Sequence, residues 1–99
     1  MVIITNISYP PESTNDIAKR FLEGPQVPDF MTRKGPYVGS NMSDGTFIVT
    51  VYELEKSKLA EGMEFIANYF TIFFGVPGFK YGIKPYFDVV EALKMIGMG

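Results

Sequence analysis

The runs Val2-Ile3-Ile4-Thr5-Asn6-Ile7 and Phe47-Ile48-Val49-Thr50-Val51-Tyr52 carry apolar residues at both odd and even positions. Side chains of a strand alternate between the two faces of its sheet, so a strand that is apolar on both parities needs cover on both sides. These runs read as the two central strands of one sheet. The rest of the chain is organised around them.

The first strand spans about residues 2–9 and stops at Pro10-Pro11, which cannot donate to a ladder. A short helix is expected over 14–23. Ser13 or Thr14 is placed to cap it, Asp16 suits its positive first turn, Ile17, Phe21 and Leu22 form its narrow apolar face, and Gly24-Pro25 ends it. An irregular crossing follows to Asp29. Residues 30–42 then read as a broken edge strand holding Arg33, Lys34, Gly35, Pro36 and Gly39. Ser43-Asp44-Gly45 is a turn signal that joins this strand to the second apolar run as a hairpin.

The strongest helical pattern covers residues 57–74, where Leu59, Met63, Ile66, Phe70 and Phe73 recur at spacings of four and three. That stripe is expected to face the sheet. Phe65, Tyr69 and Ile72 make a second apolar flank that needs its own cover. Gly75-Val76-Pro77-Gly78 breaks the helix, and residues 79–87, with Lys80, Gly82, Lys84 and Pro85, read as a second edge strand. Asp88 with Glu91 three residues on resembles a capping box, opening a short amphipathic helix of Val89, Leu93 and Ile96 that ends at Gly97. This helix is the expected cover for the Phe65, Tyr69 and Ile72 flank.

The element order is β-α-β-β-α-β plus a terminal helix. With right-handed crossovers it predicts one α+β domain over residues 1–99, a ferredoxin-like, four-stranded antiparallel sheet with its helices on one face. Two helices cover one face only. Both parities of the central strands are apolar, so a second copy is expected on the open sheet face, giving a homodimer.

Composition narrows the chemistry. The chain has 99 residues, 46% of them hydrophobic, no cysteine and no histidine. Thiolate and imidazole ligands, cysteine nucleophiles and the usual general base are therefore absent, and no spacing of carboxylates resembles a calcium loop, so no metal or cofactor is expected. A net charge of −2 with scattered lysines gives no footprint for nucleic acid. No apolar stretch approaches a membrane span and no secretion signal is visible, so a cytoplasmic location is the expectation.

Asn6 and Thr50 place hydrogen-bonding groups among apolar neighbours on the central strands, and Tyr37, Tyr52 and Tyr69 add hydroxyls to an aromatic-rich chain. These five are the candidate ligand-binding residues. Each has a plainer role open to it, a structural hydrogen bond or ordinary packing within a core or interface. Arg33-Lys34 reads either as an anion site or as a charged device that discourages edge pairing.

In its element order and in Phe47-Ile48-Val49-Thr50-Val51-Tyr52-Glu53 after an Asp-Gly turn, nearly the whole chain resembles the dimeric α+β barrel superfamily. The segments Arg33-Lys34-Gly35-Pro36-Tyr37-Val38 and Ile83-Lys84-Pro85-Tyr86-Phe87 look like those of small stand-alone members without assigned activity. The resemblance implies two sheets packed face to face, with ligands held in the barrel or between sheet and helices. It implies a fold more than a function, and the leading expectation is a small-molecule-binding, structural or regulatory homodimer with an apolar or aromatic cavity. The alternative it permits is a cofactor-free monooxygenase- or isomerase-like enzyme acting on an apolar or aromatic metabolite, with a tyrosine and Asn6 orienting substrate and Glu53 as base. Acylphosphatase has a similar element order, but its phosphate-cradling arginine loop is replaced here by Tyr9-Pro10-Pro11-Glu12.

Overall fold

Pro10 ends the first strand, and the chain turns at once through a tight 3₁₀ turn at Pro11–Ser13 into the first helix. A computed structural model describes residues 1–99. Its regular elements are β1 (Val2–Tyr9), α1 (Thr14–Leu22), β2 (Met31–Asn41), β3 (Gly45–Leu54), α2 (Leu59–Phe70), β4 (Lys80–Tyr86) and α3 (Val89–Met95).

The four strands form one antiparallel sheet in the order β2-β3-β1-β4. The two apolar runs are its centre, with Ile3 opposite Tyr52, Thr5 opposite Thr50 and Ile7 opposite Ile48. β2 and β4, the strands that carry prolines and glycines, lie at the edges, where a missing ladder donor is tolerated. This α+β arrangement is compatible with a ferredoxin-like fold, with two irregularities: β2 changes register between Lys34 and Tyr37, and α3 follows the last strand.

The register change matters for the site. Arg33 pairs with Tyr52 and Lys34 with Val51, whereas Tyr37 pairs with Val49 and Val38 with Ile48. Three residues of β2 thus span two of β3, and the extra residue inverts the parity of everything beyond it. Arg33 lies on the helix-covered face with Tyr52. Tyr37, two pleats further and of the same parity, lies on the open face.

One core forms between the sheet and the helices. Ile3, Ile7, Tyr9, Met31, Tyr52 and Leu54 from one face of the sheet meet Ile17 of α1 and Ile66, Tyr69 and Phe70 of α2, with Phe73 and Val76 beyond. Each large side chain buried this way contributes roughly 1.5–3 kcal/mol. On the opposite face Val2, Ile4, Phe47, Val49 and Val51 are only partly buried and Tyr37 is 60% exposed.

Three local expectations are corrected. Neither Ser13 nor Thr14 caps α1 through its side chain: Ser13 Oγ donates to the Pro77 carbonyl at 2.7 Å and Thr14 Oγ1 to the Pro11 carbonyl at 2.7 Å. The helix grows directly out of the preceding 3₁₀ turn, which frees these hydroxyls for other carbonyls. The expected 57–74 helix is α-helical only over Leu59–Phe70, with 3₁₀ turns on either side.

The third correction concerns α3, which does not cover the flank of α2. Its capping box forms, with Asp88 Oδ1 accepting from the Glu91 amide at 2.8 Å and Glu91 Oε1 accepting from the Asp88 amide at 3.0 Å. No α3 residue is buried, and Val89, Ile96 and Met98 are mostly exposed. The projecting helix helps account for a radius of gyration of 15.0 Å, against about 13 Å for a compact chain of this length. The flank of α2 is covered instead by the α1–β2 connection. Gly24 comes so close there that a Cβ on it would stand 3.1 Å from both Ile72 Cδ1 and Tyr69 Cε1.

Candidate functional site

α1 is held by its side rather than by its face. Arg20 Nε donates to Asp16 Oδ1 at 2.8 Å, and Arg20 Nη1 donates to the carbonyls of Ile72 and Phe74, each at 2.9 Å. This clamp ties α1 to the turn after α2. Because α1 packs there and buries only Ile17, it does not lie flat on the β2–β3 half of the sheet.

A cavity of about 230 Å³ fills the space under it. Thr14, Ile17, Ala18 and Phe21 form its roof, and Ile7, Tyr9, Ile48, Thr50 and Tyr52 form its floor. Arg33, Pro36 and Val38 close it on the β2 side, and Tyr69, Phe70 and Phe73 at the back. The back is buried, as is the floor apart from the partly buried Ile48, while Phe21, Arg33 and Pro36 are half-buried and Thr14, Ala18 and Val38 are exposed, which places the mouth between α1 and the β2 edge. No aspartate or glutamate lines it.

The polar groups are few and close together. Burial pushes the Tyr69 hydroxyl up to about 12, with the Tyr52 hydroxyl adding to the rise and the charge of Arg33 opposing it. Burial likewise pushes Tyr52 up against the opposing pull of Arg33, and burial alone raises Tyr9. The shifts carry the protonated state of these phenols further into alkali, and at neutral pH each hydroxyl can donate one hydrogen bond and accept others. The Arg33 guanidinium stands 5.6 Å from the centre of the Phe21 ring at the mouth.

Of the five residues singled out in the sequence, Thr50, Tyr52 and Tyr69 meet in this cavity. Asn6 and Tyr37 do not join them. Asn6 pairs with Val49 and Tyr37 with Val49 from the other side, so these two lie together on the open face. Glu53 lies on that face too, where its carboxylate meets Lys34 Nζ at 3.1 Å. The important residue that sequence reasoning placed elsewhere is Arg33, read as an edge device or anion site. Its spacing of two from Met31, a core residue, was the available signal that it points inward.

No three acidic side chains converge to hold a cation, and no helix is long and apolar enough to cross a membrane. No family model matches the chain, and no curated protein matches it either.

Proposed function

We propose that this chain binds a small apolar or aromatic molecule in the cavity beneath α1, and that it works as a homodimer whose second copy covers the open sheet face, as in the dimeric α+β barrels it resembles. The observation that carries the binding reading is the cavity itself, a largely apolar space with three protonated phenols and one guanidinium gathered on its walls. Binding sites for small molecules typically combine an apolar lining with a few convergent polar groups. The dimer is supported by the central strands, whose second face presents Val2, Ile4, Phe47, Val49 and Val51 incompletely covered by their own chain.

The enzyme reading finds less support. It requires a tyrosine, Asn6 and Glu53 around one substrate; Tyr37, Asn6 and Glu53 do share the open face, but Glu53 is paired with Lys34 and no cavity of the chain is lined by all three.

The binding reading is tested by filling the space. Ile48→Phe adds a ring at the cavity floor, and a volume change of this kind costs about 1–3 kcal/mol where no void exists to receive it. Ile48→Phe is expected to keep its urea midpoint and to abolish the chemical-shift changes that wild-type protein shows with benzyl alcohol. A variant that binds benzyl alcohol as wild type does would remove the cavity from consideration.

A further inference from the structure

The fate of the two arginines differs. Arg20 is committed to Asp16 and to two backbone carbonyls, whereas Arg33 makes no ion pair with any carboxylate of the chain. The neighbouring acid, Glu53, is on the other face of the sheet and is taken by Lys34. Arg33 is half-buried at the cavity mouth, where the walls offer it no carboxylate, so an anion entering the cavity meets a cation that no group of the chain has already paired.

From this unpaired charge beside an apolar cavity we infer that the cavity's ligand is a monoanionic aromatic carboxylate, or a branched aliphatic acid of similar size, its carboxylate received by the Arg33 guanidinium beside the Tyr52 and Tyr69 hydroxyls. The inference rests on the binding role proposed above and names the class of molecule that fills it.

Three further observations support it. The guanidinium carbon stands 5.6 Å from the centre of the Phe21 ring and no carboxylate of the chain occupies its N–H groups, a fork that matches a ligand carboxylate in a bidentate pair. Tyr52 and Tyr69 each have a hydroxyl proton to donate to a carboxylate oxygen, and with Arg33 as the only charged group on a lining that has no aspartate or glutamate, the polar end of the site suits an anion better than a cation. Size sets the rest. A cavity of roughly 150 Å³ accommodates benzene, so about 230 Å³ holds one ring and a small substituent. A phosphate monoester, with its second negative charge, would be left half-compensated by the single cation.

Benzoate and benzyl alcohol are the probes, isosteric at the ring and differing in charge. By titration calorimetry at pH 7, benzoate is expected to bind wild-type protein at least 10-fold more tightly than benzyl alcohol, the gain of a charge-assisted hydrogen bond. Arg33→Gln is expected to erase that preference, Arg33→Lys to retain part of it, and Tyr52→Phe to weaken benzoate several-fold more than the alcohol. Wild-type protein alone gives an independent reading: benzoate affinity should fall as the acid is protonated below about pH 4, while the alcohol's stays level. Equal affinity for the two probes, or a preference that survives Arg33→Gln in a variant with wild-type circular dichroism, overturns the carboxylate assignment and leaves the cavity's binding role standing. Binding of neither probe overturns both.

Discussion

Gly78 lies against the ring of Pro10, with no room between them for a side chain on the glycine. The contact closes the end of the domain where β1 stops and β4 is about to start. Gly78 also has a φ of +76°, a conformation that L side chains rarely adopt. Gly78→Ala should therefore lose stability twice, through backbone strain of about 1–2 kcal/mol and through a clash worth about 1–3 kcal/mol. Gly75 separates the two, since its φ is +91° but a Cβ there meets nothing within 4 Å. Urea unfolding should show Gly75→Ala costing the strain alone and Gly78→Ala clearly more. Equal losses would show that Pro10 yields.

The buried phenols predict a loss of stability in alkali. A tyrosine in the unfolded chain ionises near pH 10, whereas Tyr69 holds its proton to about 12 in the fold and Tyr52 and Tyr9 are raised as well. The native state thus binds protons that the unfolded state has released. The stabilisation is complete below pH 10 and declines as the pH rises from there toward 12. Absorbance at 295 nm should reveal a late-ionising phase that Tyr69→Phe removes, together with part of the fall in urea midpoint over that range. An unchanged titration in Tyr69→Phe would contradict the burial of this hydroxyl.

The open face predicts the oligomeric state. Val49 sits at its centre, paired with Asn6 on one side and Tyr37 on the other. A lysine here keeps the strand's hydrogen bonds and has a stem long enough to reach water in an isolated subunit, but a second sheet packed on it would bury the charge. Light scattering at micromolar concentration should find wild-type protein as a dimer and Val49→Lys as a folded monomer. A Val49→Lys dimer as tight as wild type would place the partner elsewhere.

Much of this molecule was legible in local chemistry. The strand ends at Pro10, the turn at Asp44-Gly45, the capping box of Asp88 and Glu91, and the edge placement of the strands rich in glycine and proline all follow from what single residues do to their own backbone. The centrality of the two apolar runs was legible for a related reason, because side-chain parity along a strand reports which faces must be covered.

The site was only partly legible. Thr50 and Tyr52 share a parity and do share the cavity, but Arg33 and Tyr37 also share one and end on opposite faces, because the extra residue between Lys34 and Tyr37 reverses the pleat. The cover for the α2 flank likewise comes from the backbone at Gly24 and not from the amphipathic α3. The amino-acid order alone settled which segments become strands and helices and which strands are buried deepest, since those choices depend on neighbours along the chain. The phase of β2, the tilt of α1 away from the sheet and the space left beneath it were decided only by the folded whole. They depend on contacts such as Arg20 with Ile72, between residues 52 positions apart, and no local period encodes these.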